Sequence, residues 1–192
     1  MLLISFGLAV LAIFGVILLA RPRRFYFVRH GETILNQQHI RQGEDGGLSE
    51  NGKRQSEKVG AYLKRFSIDR IISSTYPRAR ESAEMDLAYH KDDYRFSDEE
   101  NFIDLKKRAH KCLNLLARQG NKETVVVTHH VFLKMLVAYM LYRERLHAAD
   151  FTKLSFFNVS DNAGITICEF HPWRFFSPTR GWEVVSYNEQ PS

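Results

Sequence analysis

The chain of 192 residues is poor in cysteine, with only Cys112 and Cys168, far apart in sequence. That spacing excludes a disulfide framework and a cysteine-built metal site, and two unpaired thiols suit a reducing compartment. Only five prolines are present, and no stretch rich in glycine, proline or serine marks a boundary between domains. There is no internal repeat, and the length suffices for one domain with a substantial core. Residues 1–20, MLLISFGLAVLAIFGVILLA, lack any charged side chain. A helix of about 20 residues spans roughly 30 Å, the thickness of a bilayer core. Arg21, Arg23 and Arg24 follow, and no Lys or Arg precedes, a bias that places the C-terminal side in the cytoplasm. A cleaved signal peptide would want a positive start, a shorter apolar core and a small-x-small site, and Leu18-Leu19-Ala20 is a poor one. The sequence therefore predicts a single-pass transmembrane anchor over 1–20, a basic juxtamembrane linker over 21–24 and a cytoplasmic domain over 25–192.

The excess of one sign of charge is also small. The formal net charge is +5, with no interleaving of aromatic and basic residues. A nucleic-acid platform is thereby disfavoured, and an acidic substrate or a membrane surface suits the balance as well. Asn158-Val159-Ser160 fits the glycosylation triplet, but a cytoplasmic domain is never offered to that machinery, and the triplet is common by chance.

What is present is a set of short apolar runs ending in basic groups. Residues 25–33 read FYFVRHGET, a strand-like run delivering Arg29 and His30. Ile71, Ile72 and Ser73 lead through Ser74 and Tyr76 to Arg78 and Arg80. Residues 124–128, TVVVT, lead directly to His129 and His130. Ligands sit beyond the carboxyl ends of strands in open α/β sheets, so parallel neighbours would gather these groups on one edge. Guanidinium groups beside neutral imidazoles make an anion pocket, with phosphate the natural anion. Helices are expected over 49–66, from Phe102 to a stop at Gly120, and over 131–142; strands are expected over 164–170 and 182–187.

These motifs resemble the histidine phosphatase superfamily, the phosphoglycerate-mutase-like enzymes. Arg29-His30-Gly31-Glu32-Thr33 with Asn36 matches its signature. Gln42-Gly43, Asp45, Leu48, Ser49, Gly52 and Gln55 follow in its order, then Ser73-Ser74, Arg78-Ala79 and Ser82-Ala83, then Val127-Thr128-His129. The resemblance covers roughly residues 25–188 and implies an α/β fold, a three-layer α/β/α sandwich with a mostly parallel central sheet. It implies a metal-independent phosphohydrolase without cofactor, acting on a phosphate monoester through phosphohistidine on His30. An imidazole near its ordinary pKa is a good nucleophile at neutral pH and divides one hard step into two. Arg29, Arg78 and His129 match positions that bind the phosphoryl group, and Asn36 a neighbouring one.

The departures matter. His130 stands where a glycine is usual and is expected to point away from the site. The stretch before the second histidine is short. Glu84 is the candidate proton donor, on a segment whose usual glycine is Ala88, with Asp86 and Glu81 as substitutes. A catalytically weak phosphate-binding or scaffold protein is the alternative, and a phosphomutase a lesser one. Arg80 reads as a solvated charge, and His90, His110, His147 and His171 lie at no motif position. Phosphosugar, nucleotide, phosphoprotein and lipid-linked phosphate all remain as substrates, and the oligomeric state is open.

The topology is testable on the full chain. A reporter active only in the cytoplasm, fused after Ser192, should give signal. Signal from an external reporter, or a secreted chain beginning near Arg21, would contradict the anchor.

Overall fold

The computed structural model describes residues 21–38, 46–76, 79, 91–94, 102–157, 160–174 and 176–191. The expected anchor over 1–20 lies outside them. Among the described residues no helix is long and apolar enough to cross a membrane.

The strands are β1 (Arg23–Arg29), β2 (Arg70–Ser74), β3 (Lys91–Tyr94), β4 (Glu123–Thr128), β5 (Ile165–Phe170) and β6 (Trp182–Glu189). They form one sheet in the order β3-β2-β4-β1-β5-β6. From β3 to β1 all neighbours are parallel, whereas β5 and β6 add antiparallel. The sheet is therefore mixed, with parallel strands at its centre and a late antiparallel flank. Arg23 and Arg24, expected in a linker, belong to β1, because the fold gives both a partner. Arg23 Nη1 donates to the Ala117 carbonyl at 2.5 Å, and Arg24 Nη2 meets Glu169 at 2.7 Å.

The helices are α1 (Ile34–Gln37), α2 (Glu50–Leu63), α3 (Phe102–Arg118), α4 (His130–Tyr142) and α5 (Ala148–Phe157). Strand alternation sends Tyr26, Val28, Val125 and Val127 to one face, where Val59 and Leu63 of α2 cover them. Phe25, Phe27, Ile72 and Val126 go to the other, under Ala109, Leu113 and Leu116 of α3 and the apolar side of α4. The three layers follow from that division. Helix α4 is apolar nearly all round because it lies between the sheet and other helices, and eight of its residues are buried.

The loop after β1 is fastened to the start of α2. Ser49 caps α2, its Oγ accepting from Gly52 N at 3.0 Å. Ser49 N donates to the Glu32 carbonyl at 2.9 Å, and Glu32 N donates to Gln55 Oε1 at 2.8 Å. Leu48 bridges Thr33 across the same junction. The approach requires a residue without a side chain: a Cβ on Gly52 would lie 1.9 Å from the Glu32 carbonyl oxygen. Thus Gly52→Ala should cost about 1–3 kcal/mol in urea unfolding, as overpacking does, whereas Gly120→Ala should be nearly neutral. Nothing lies within 4 Å of a Cβ at Gly120. Equal stability of the two variants would contradict the fastening.

Candidate active site

Parallel pairing puts Val28 opposite Val127 and Arg29 opposite Thr128. The next residues on the two strands are His30 and His129. His30 N donates to the Thr128 carbonyl at 3.0 Å and continues the ladder past the strand ends. The two imidazoles consequently face each other, ring centroids 5.2 Å apart and planes at 59°. On the other side of β4, Ser73 pairs with Val127, so Ser74 ends β2 level with Thr128. Its Oγ lies 2.7 Å from His129 Nε2, and the Tyr76 ring lies 5.2 Å from the His129 ring. The ends of β1, β4 and β2 therefore lie side by side, with Arg78 and Arg80, expected after β2, outside the described residues.

His30 is 5% exposed, and its Nδ1 lies 2.8 Å from the Gly31 carbonyl oxygen. A carbonyl only accepts, so Nδ1 carries the proton, and in the neutral ring Nε2 keeps its lone pair. Glu32, two residues on, has a different duty. Its Oε1 accepts from Ser49 Oγ and Gln37 Nε2, each at 2.8 Å. The hydrogen bond from Ser49, then that from Gln37, holds its carboxyl below the ordinary range, which makes it a poor proton donor near neutrality.

Arg29 lies largely buried beside His30. Its Nη1 donates to the Ser160 carbonyl, and Asp161 favours its charge. Burial lowers its pKa, but a guanidinium starts so far above neutrality that it stays charged. Its Nε is buried and makes no hydrogen bond among the described residues. Asn36 accepts through Oδ1 from Thr33 N and from Asn162 Nδ2, each at 3.3 Å. Asn162 Nδ2 also donates to the His30 carbonyl at 3.2 Å.

Asn162 was not foreseen from sequence. It sits in a turn sewn to the end of β1, with Ala163 N donating to the Arg29 carbonyl at 3.0 Å. The only signal available was the turn composition of Asp161, Asn162 and Gly164. His130 requires a correction. It does not turn away: its Nδ1 donates to the Ser160 carbonyl at 3.0 Å, the same oxygen that holds Arg29. Arg78, Arg80, Glu81, Glu84 and Asp86 lie outside the described residues, as do Gln42, Gly43 and Asp45. Among the described residues no group of three or more His, Cys, Asp or Glu could hold a metal ion. A cavity of about 150 Å³ opens beside His129, between α3 and the ends of β2 and β4. Its lining includes Ser74, Tyr76, Arg108, Lys111 and Phe132.

The site can be set beside known proteins. A phosphatase of Bacillus subtilis, PhoE, described as uncharacterized, is 46% identical over 59 residues, 30% of this chain and 31% of its own. The GpmB protein of Erwinia tasmaniensis, described as a probable phosphoglycerate mutase, is 39% identical over 61 residues, 31% of this chain and 28% of its own. The matches thus span about a third of the length of these curated relatives. Among solved structures, the phosphoserine phosphatase of Entamoeba histolytica in complex with 3-phosphoglyceric acid superposes with a TM-score of 0.67 at 22% identity. That superposition covers 87% of this chain and 97% of the other and shows a common fold. The family description of the histidine phosphatase superfamily (branch 1) matches residues 25–91 and 84–180, and the chain belongs to that superfamily.

Proposed function

We propose that the protein hydrolyses phosphate monoesters through a phosphohistidine on His30. The observation that carries this is the His30 ring itself: buried, its Nδ1–H fixed on the Gly31 carbonyl, and 5.2 Å from His129. Nε2 attacks phosphorus, forming a P–N bond as the P–O bond to the leaving alcohol breaks. The leaving oxygen takes a proton from an acid, for which Glu84 is our candidate, with Asp86 and Glu81 behind it. The carboxylate left behind then takes a proton from water as that water attacks the phosphohistidine; the P–N bond breaks, and phosphate leaves with the imidazole and the acid both restored. Arg29, Arg78, His129 and the Asn36 amide bind the phosphoryl oxygens, whose charge grows in the transition state.

We place this domain against the cytoplasmic face of a membrane, on the apolar run at 1–20. Because β1 begins at Arg23, only Arg21 and Pro22 separate that run from the sheet. Two residues reach about 7 Å, which leaves no flexible stalk.

An aryl phosphate with a good leaving group needs little protonation, so turnover of it reports on His30 even if the acid is weak. His30→Ala should abolish phosphate release while the chain stays folded, and denaturant-trapped wild-type protein should carry acid-labile phosphate that the variant lacks. Full turnover in His30→Ala would end the proposal. Phosphate binding without turnover in wild type would favour the scaffold alternative.

A second outcome concerns the clamp. Arg29→Ala or Arg78→Ala should lower kcat/KM by about 2–4 kcal/mol of transition-state binding, and lysine should rescue poorly because it lacks the planar fork. Wild-type behaviour of Arg78→Lys would remove that residue from the phosphate site.

A further inference from the structure

We propose that His130 is a positioning residue for Arg29, acting through the carbonyl of Ser160. The inference rests on the assignment of Arg29 to the phosphoryl group. Ser160 is 1% exposed, so its polar groups have no recourse to solvent. Its carbonyl accepts two donors that come from different strand ends. One is Nη1 of Arg29, the last residue of β1, and the other is Nδ1 of His130, the first residue of α4 beyond β4. The pair ties the turn at 160–164 to both strands and fixes where the guanidinium rests.

The surroundings keep the His130 ring neutral. Burial lowers its pKa first, and the charges of Arg29 and Lys134 add to that, while the Ser160 bond and Asp161 oppose it. Lys134, one turn further along α4, has its own pKa lowered by burial and then by Arg29. A neutral imidazole can brace the carbonyl without adding a cation to an already basic corner.

A purely structural role for His130 would change stability and leave phosphate affinity alone. The measurement that separates the two is the dissociation constant of inorganic phosphate, read by calorimetry on the intact chain alongside KM and kcat for an aryl phosphate. His130→Asn can place an amide N–H near the position of Nδ1 and should bind phosphate within about twofold of wild type. His130→Phe keeps the ring volume but has no donor. It should weaken phosphate binding roughly fivefold, the worth of one ordinary hydrogen bond, and raise KM more than it lowers kcat. In an Arg29→Gln background the His130→Phe effect should vanish, because the group being positioned is gone. Wild-type phosphate affinity in His130→Phe, equal damage from His130→Asn, or an undiminished effect without Arg29 would each overturn the proposal. Phosphate binding needs no attack by His30, so these outcomes stand apart from the test of turnover in His30→Ala.

Discussion

Everything at the site depends on the parallel register between β1 and β4. With Arg29 opposite Thr128, the residues one step beyond the strands fall side by side, and both are histidines. A slip of one residue would send each side chain to the other face of the sheet. It would also break the hydrogen bond from His30 N to the Thr128 carbonyl, which carries the ladder past the last strand pair. The register is held from both faces at once, since Tyr26 and Val28 are committed to the α2 layer and Phe25 and Phe27 to the α3 and α4 layer. The core thus fixes the relative position of the two histidines just beyond the strand ends.

Around that pair the chain builds a polar shell from distant segments. Residues 48–55 grip the backbone of Glu32, and residues 160–164 grip the backbone of Arg29 and His30. Motif positions such as Ser49, Gly52 and Gln55 therefore serve geometry and make no demand on chemistry of their own. A buried guanidinium is costly unless its donors are met. Nη1 rests on the Ser160 carbonyl, Asp161 lends opposing charge, and Nε has no hydrogen-bond partner among the described residues.

The sequence was legible where apolar periodicity was strong. The strands at 25–28, 71–73 and 124–128 and the helix at 131–142 were all foreseen, and so was the meeting of the strand ends. Strand β3, with the sequence KDDY, was not: two aspartates disfavour a strand, and only its place at the sheet edge tolerates them. Helix α5 was missed because its apolar residues follow no clear stripe. The antiparallel flank was hidden because pairing direction is a tertiary fact. The same holds for Ser160 and Asn162, which meet β1 from more than a hundred residues away. Local pattern also misdirected the expectation for His130, since its hydrogen-bond acceptor is thirty residues downstream.

The fold presents His30 with Nδ1 protonated and Nε2 unprotonated. Nitrogen-15 NMR of the histidine side chains reads this directly, because the two neutral tautomers have distinct ring-nitrogen shifts. Near neutral pH the His30 ring should show a protonated Nδ1 and an unprotonated Nε2, and phosphate should perturb Nε2 the more. A His30 ring protonated on Nε2, with Nδ1 free, would place the lone pair against the Gly31 carbonyl and contradict its role as the nucleophile.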